Sequence, residues 1–568
     1  MGTFIKRDIS FVARILAVAL LVGGCGVVAS PEHSAQTEPG GTTAPAERFE
    51  SGYISAPEPQ VAYYDSEGVF LGTLTRGSPV EYQTGSDGQT VIFPEGETAY
   101  LLEGTVVSDP ADIIPEHTLY VRTAVNLRDG EGRLLPGLAE KGTPVQVVGY
   151  DRLTEMGEAH LYRVICGQDE GYIAPWYLTG REEEALAPYD GGSYAVHEGR
   201  GNRYGGGGAG ELDYYPRQKG PIEGNEMPRE CRTLYLVGWR LDEVDDYLKI
   251  AADSGINAFV VDILDGGSVG YAGEVMQAYC PSAVEAAHNT VEEYRAAIRK
   301  LRDAGYYVIG RITTFNDTYF VKDHPEYAIA DDEGQPRKLA GAYWPSPYSR
   351  AAWQYKVDLA VEAVALMGFN EIQFDYVRFP DNTRRYEKAG TIDFRNVYGE
   401  TKAQAVQRFL MYAADILREH GAYISADVYG ESAFAYVTAY GQYWPAISNV
   451  VDAISGMPYP DHFGAEGSWK PWEHPYETLL NWGKCAMLRQ SETATPAAVR
   501  TWVQAYNAIR EPYNTYGPDE VAAQIRALRD SGCSGGFMTW NAKSSLDKYR
   551  SLRPAFAAPM EPEKEPAE

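Results

Sequence analysis

Eight short apolar runs recur between Arg232 and Asn541, and amphipathic stretches fill most of the gaps between them. The runs cover 234–239, 258–264, 307–313, 371–379, 423–429, 453–459, 501–506 and 536–541. "VEEYRAAIRKLRDAG" and "TKAQAVQRFLMYAADILREHG" read as helices, each stopping at a glycine just before the next run. Eight strands alternating with helices over about 320 residues predict an α/β fold, a (β/α)8 TIM barrel with inserted loops. A doubly wound sheet is the alternative, and it would leave fewer strand ends pointing at one site.

In a barrel strand, alternate residues face the helices and the interior. In "EIQFDYVRFPDN", residues 371–382, Ile372 and Phe374 suit the helix side, and Gln373 and Asp375 then face inward. Asp375 stands near the C-terminal end, where barrel enzymes place their chemistry, and Tyr376 and Arg378 follow it. Other strands agree. "FVVDILD" turns Asp262 inward and sets Asp265 at its end, and "VIGRITT" offers Arg311. "YISADVYGE" turns Asp427 inward, with Ile424, Ala426 and Val428 on the other face. "SGMPYPDHF" brings Tyr459, Asp461 and His462, "TWVQAY" brings Trp502 and Gln504, and "GFMTWN" brings Trp540 and Asn541. Taken singly, each of these groups is explained by a cap, a turn or an ion pair. Their convergence at one set of strand ends points to a site.

Paired carboxylates with aromatics suit glycoside hydrolysis. One carboxylic acid protonates the leaving oxygen, while the other is nucleophile or activates water. Asp375 and Asp427 sit on adjacent strands at similar depth. Strand spacing is about 5 Å, which suits the ~5–5.5 Å of a retaining pair. Asp375 is expected as nucleophile or electrostatic stabiliser, and Asp427 as acid/base with Asp461 in reserve. Arg378 and Arg311 are expected to keep Asp375 ionised. Asp262, Arg311, Tyr376, Arg378, Tyr459, Gln504, Trp540 and Asn541 form the expected substrate-binding set.

"FDYVRFP", "ADVYG", "MPYPDHF", "WVQAY" and "FMTWNA" resemble the motifs of a bacterial family called "putative glycosyl hydrolase domain", a barrel distantly similar to the α-amylase and α-galactosidase groups. The resemblance spans roughly residues 233–542. It implies a nucleophilic Asp on strand four, which maps onto Asp375. The α-amylase group implies a Glu acid on strand five, where this chain has Asp427 and, four residues on, Glu431. The α-galactosidase group implies an acid on strand six, Asp461. The acid stays open, and the resemblance supplies no substrate, because the family's activity is itself inferred from its fold.

Two segments repeat before the barrel. "DSEGVFLGTLTRGSPVEY" (65–82) aligns with "DGEGRLLPGLAEKGTPVQVVGY" (129–150), and the second unit closes with "YRVICGQDEGYIAPWYLT". Short strands, glycine turns and "VNLRDGEG" resemble bacterial SH3-like barrels, expected over 57–108 and 117–180. That resemblance implies binding of cell-wall peptide or glycan, and the alternative is a spacer without a ligand. Residues 181–231 read as a Gly-rich linker, 232–556 as the barrel domain and 557–568 as an acidic tail. The G-x-G-x-x-G match at Gly205–Gly210 has no preceding strand, so a dinucleotide site is rejected.

The N-terminus has basic residues Lys6, Arg7 and Arg14, then the apolar run Ile15 to Val22, the proportions of a signal peptide over 1–24. Val22-Gly23-Gly24-Cys25 resembles the bacterial lipobox, which implies lipidation of Cys25 and a polar tether over 25–56. An extracytoplasmic chain, lipid-anchored to the cell membrane, is expected. The five later cysteines show no C-x-x-C spacing and nine histidines show no H-x-x-x-H, so neither a metal nor a cofactor is expected. A net charge of -29 argues against nucleic acid as partner. The expected partner is a polysaccharide or cell-wall glycan. The alternative is a lipoprotein whose inactive barrel holds glycan without cutting it.

Overall fold

The computed structural model describes residues 49–85, 88–92, 98–102, 105–189 and 204–557. The expected signal peptide, Cys25, residues 26–48 of the tether, the glycine- and arginine-containing stretch 190–203 and all of the tail but Ala557 lie outside these residues.

Two antiparallel seven-stranded units come first. Counted along the chain within each unit, both have the strand order three–two–six–five–four–one–seven. The repeated D-x-E-G signal builds the same turn in both. Asp65 Oδ1 accepts from the N–H groups of Glu67 and Val69, and Asp129 Oδ1 from those of Glu131 and Arg133. Gly68 and Gly132 take φ of 81° and 82°, a left-handed conformation that costs glycine least. The first unit begins earlier than its sequence signal. The segment read as the end of the tether contains a strand, Glu50–Ile54, with Ile54 fully buried.

The two units differ in how they are finished. The first closes on its own core of Ile54, Val61, Tyr82, Val91, Ala99, Leu101 and Val106. The core of the second is continuous with that of the barrel.

The barrel strands are β1 (Cys231–Leu236), β2 (Ala258–Asp265), β3 (Tyr307–Thr313), β4 (Glu371–Asp375), β5 (Tyr423–Tyr429), β6 (Ala453–Met457), β7 (Thr501–Gln504) and β8 (Gly536–Trp540). They pair in parallel through β8–β1–β2–β3–β4–β5–β6. A two-residue piece, Ala498–Val499, pairs with β6, and β7 pairs with β8. Arg500 alone separates that piece from β7, so the parallel sheet is nearly closed. All eight expected runs are strands, and the doubly wound alternative is excluded.

Three helices position the site: α1 (Val291–Asp303), α2 (Arg350–Met367) and α3 (Lys402–Glu419). Thr290 with Glu293 and Thr401 with Gln404 form capping boxes at the starts of α1 and α3, satisfying N–H groups that have no partner inside the helix. The buried face of α3 includes Val406, Phe409 and Leu410, and Phe409 meets Phe374 edge-on at 5.1 Å. That contact holds Phe374 on the helix side and so sends Gln373 and Asp375 inward.

β4 ends at Asp375, four residues before the expected Phe379. Tyr376 has φ of 49°, and a left-handed residue breaks the extended backbone. For a residue with a side chain this costs roughly 1–2 kcal/mol. β6 stops at Met457, where Pro458 and Pro460 follow and proline has no N–H to give a ladder.

The expected linker is built into the fold. Glu182–Leu186 is a short helix, and residues 204–230, called here the strap, lie on the barrel. Leu212 and Tyr214 pack with Ala403, Val437 and Ala446. The Lys219 ammonium donates to the carbonyls of Ser448 and Thr495, both at 2.6 Å. The strap's glycines serve close packing. The Ala403 N–H donates to Gly206 O at 2.9 Å, and a Cβ at Gly206 would fall 1.9 Å from Thr438 O. Gly206→Ala is therefore expected to lift this part of the strap. Limited proteolysis should then cut near 204–215 faster than in wild type; equal rates would show that the contact does not hold it down.

Candidate active site

At the C-terminal end of the barrel, one guanidinium organises four carboxyl groups. Arg311, inward on β3, donates through Nη1 to Asp262 Oδ1 at 2.7 Å and through Nη2 and Nε to Asp375 Oδ2 at 2.5 and 3.2 Å. Asp265 Oδ1 is 3.3 Å from Nη1, and Asp427 Oδ2 is 3.7 Å from Nε. Phe374 pairs with Ala426, which sets the next residues, Asp375 and Asp427, side by side on β4 and β5. The Tyr235 hydroxyl donates to Asp262 Oδ2, and Trp502 Nε1 donates to Asp427 Oδ1 at 2.7 Å. Asp375 also accepts the N–H of Tyr376 at 2.6 Å, a bond made available by the left-handed turn.

The charges do not balance, and this decides where protons sit. Asp262, Asp375 and Asp427 are buried around one buried cation. An uncompensated buried charge is costly, so a carboxyl group in such a place keeps its proton. Burial, with Asp265 nearby, raises Asp262 to about 7 against the attraction of Arg311. Burial and the neighbouring Asp375 push Asp427 well above the usual carboxylate range. Its Oδ2 has no hydrogen-bond partner among the described residues. Asp375 receives three N–H donors and sits at the exposed edge of the group, its side chain 8% exposed against 0% for Asp427.

A pH dependence follows. The folded pKa of Asp262 is above its ordinary 3.8, so the folded chain binds more protons than the unfolded chain between those values. Its contribution to stability is complete below about pH 4 and is lost as pH rises through about 7. Asp427 has the same sign. Asp262→Asn should therefore reduce the fall in melting temperature between pH 5 and pH 8. An unchanged fall would show that Asp262 does not hold that proton.

The remaining expected residues divide. Trp540 flanks the guanidinium, its ring 5.4 Å from Arg311 Cζ and 4.7 Å from the Tyr235 ring. Tyr376 is half-buried beside Trp344, at 5.8 Å. Tyr459 is buried, edge-on to His462 and Tyr506. Asp262 is enclosed beneath Arg311, where it holds the guanidinium rather than facing a ligand. Asp427 is likewise enclosed, so the acid expected to face a leaving group lies below the surface of the mouth. Arg378 does not reach Asp375. After the turn at Tyr376 it pairs with Asp381 at 3.4 Å, donates to the Tyr429 hydroxyl at 2.5 Å and lies over the Tyr429 ring. Asp461 is tied to β7 and the loop after it by the Tyr506 hydroxyl at 2.8 Å, the Ile509 N–H at 3.1 Å and Gln504 at 3.3 Å, which gives the reserve acid a structural job. Gln504 is occupied by that contact. Asn541 donates to Ala505 O and accepts from the N–H groups of Lys543 and Ser545, so it caps a turn.

The family model described as "Putative glycosyl hydrolase domain" matches residues 233–546. The chain belongs to this family. No curated protein matches. Among solved structures, a hypothetical protein from Ruminiclostridium thermocellum ATCC 27405 is 34% identical over 34% of this chain and 97% of its own, with a TM-score of 0.29. The PgaB (BpsB) glycoside hydrolase domain from Bordetella bronchiseptica is 13% identical over 57% of this chain and 99% of its own, with a TM-score of 0.42. The maltogenic α-amylase AmyB from Thermotoga neapolitana is 11% identical over 56% of this chain and 68% of its own, with a TM-score of 0.35.

The mouth of this glycosyl hydrolase domain also brings in residues that the sequence alone did not single out. Tyr235 on β1 is inward because its neighbours Leu234 and Leu236 face the helices, and the same alternation that exposed Asp375 was enough to find it. Tyr429 and Asp381 had no such signal, since their meeting with Arg378 depends on the turn at Tyr376.

Proposed function

We propose that the barrel mouth hydrolyses O-glycosidic bonds of a cell-envelope or extracellular polysaccharide through two carboxyl groups. Asp375, bonded to Arg311 and at the exposed edge of the group, faces the anomeric carbon, and Asp427 is its proton-bearing neighbour. The observation that carries this reading is the shared guanidinium of Arg311, against which one carboxyl group must remain protonated. A carboxyl group pushed toward its protonated form, beside one bonded to a guanidinium, is what acid and nucleophile require. As the positive charge of the sugar develops against Asp375, the repulsion that raises Asp427 weakens. Its proton is then released most readily when the leaving oxygen needs it.

The test compares Asp427→Asn on aryl glycosides and on polysaccharide, across a panel of cell-wall and capsular glycans read by new reducing ends. Loss of protonation should slow polysaccharide cleavage strongly and spare substrates with activated aryl leaving groups. Equal effects on both classes would remove the acid role from Asp427. The second reading is a barrel that holds glycan without cutting it. It is favoured by one observation, the complete enclosure of Asp427. Binding without new reducing ends across the whole panel would establish that reading.

We further infer an extracytoplasmic chain anchored through lipidated Cys25, with the two β units as SH3-like modules. The small residues ahead of Cys25 and the shared strand order of the units support this. Cys25→Ser should move the protein from the membrane fraction to the soluble fraction. Unchanged partition would reject the anchor.

A further inference from the structure

A cavity of about 600 Å³ lies between the second β unit, the strap and the barrel. Its barrel wall is formed by Asp415, Arg418 and Glu419 late in α3 and by Asp452 just before β6. It therefore opens at the N-terminal side of the strands, away from Asp375. We propose that this cavity is a second ligand site, for a saccharide that carries a carboxylate.

Two side chains make the recognition surface. Trp176 is 42% exposed although it lines a concavity, so an indole face is open to a ligand. Arg122 is fixed beside it: its Nε donates to Trp176 O at 2.6 Å, and its guanidinium lies 4.5 Å from the centre of the Tyr215 ring. No carboxylate pairs with Arg122 among the described residues. A sugar ring stacks on an aromatic face, and a guanidinium fork matches a carboxylate.

The carboxylates in the cavity are already occupied. Asp415 accepts from the Tyr177 hydroxyl at 2.8 Å and lies 3.5 Å from Arg217, and Asp452 pairs with Arg418 at 2.6 Å. Glu419 lies 3.3 Å from His160 and 3.6 Å from Arg128. The Thr123 hydroxyl and the Tyr215 N–H donate to Asp213. Arg122 adds positive charge without such a partner, burial brings Lys219 down to about 7 and so weakens its charge, and Arg217 Nε is buried and unbonded among the described residues. The cavity thus attracts anions in a chain whose net charge is -29. The choice of a saccharide over an acidic peptide rests on the reading of the barrel as a polysaccharide hydrolase. The site's affinity for a carboxylate does not.

The test is calorimetric titration of the full chain with oligouronates of the galacto, gluco and manno series, their methyl esters, and poly-glutamate. At least one oligouronate should bind. Its ester should bind about 10-fold or more weakly, as should the free acid to Trp176→Ala or to Arg122→Gln. Added salt should weaken binding. Loss of binding in Trp176→Ala and Arg122→Gln, on the opposite side of the strands from Asp375, is what separates this site from the mouth. Thermal melts check that both cavity variants are folded, as expected for an exposed indole. No oligouronate binding at millimolar concentration overturns the proposal, as does equal binding by the two cavity variants. Poly-glutamate binding as tightly as the saccharide would transfer the site to acidic peptides and overturn the saccharide assignment.

Discussion

Asp375→Asn abolishes glycan cleavage, by about 10³-fold or more, while glycan binding and folding survive. Asparagine keeps the size of the side chain and removes the charge that an oxocarbenium-like transition state needs. The fold survives because Arg311 keeps two other carboxyl partners, Asp262 at 2.7 Å and Asp265 at 3.3 Å. A purely structural role for Asp375 gives a different result. Breaking a buried pair costs about 3–5 kcal/mol, which would appear as a large fall in melting temperature. Both assays are run on one protein. Cleavage at the wild-type rate sinks the catalytic assignment, and lost activity with a collapsed melting temperature returns Asp375 to a structural role.

The largest expected loss of stability is at Arg311. Arg311→Leu removes the cation shared by Asp262, Asp375 and Asp427 and should cost about 3–5 kcal/mol. At roughly 2–4 °C per kcal/mol for a large domain, the melting temperature falls by about 6–20 °C. The loss should be smaller at low pH, where the carboxyl groups take up protons and no longer need the guanidinium. Arg311→Lys should fall between, because an ammonium keeps the charge but lacks the fork that reaches Asp262 and Asp375 together. Thermal melts at pH 5 and pH 8 decide this. A leucine variant that melts like wild type at both would show that the carboxyl groups do not depend on Arg311.

Much of the barrel was legible because alternation and apolar runs are local signals. Phe374 and Asp375 could be assigned to opposite faces from β4 alone. The alternation stopped being informative one residue later. Tyr376 is left-handed, so counting onward sent Arg378 toward Asp375 when the chain carries it to Asp381 and Tyr429. Asp427 was placed on the correct face, but its enclosure depends on neighbours including Trp502, from a strand 75 residues away. Asp461 looked free because its partners, Tyr506 and Ile509, belong to the next strand's loop. The glycines of 181–231 were read as marking a linker, whereas Gly206 is glycine for want of space. The repeated units were visible in their turns, since an Asx turn is written within five residues.

The continuity of core between the second β unit and the barrel sets an order of events as the chain is made. Asn126 meets its partner Arg350 across 224 positions, and Tyr177 meets Asp415 across 238. When residues 113–180 emerge, the surfaces that complete them have not yet been synthesised. β1 waits longer still, because β8, which flanks it, lies about 300 residues downstream. Contacts of such long range are slow to form. The apolar core of the first unit can close as soon as Val106 is out, and the buried bond from Arg76 to Gly157 O, 81 positions on, is added later. An emerging chain therefore presents one unit with a closed core followed by a long stretch with an incomplete interior, and that stretch is where a folding helper or a protease would find its opening.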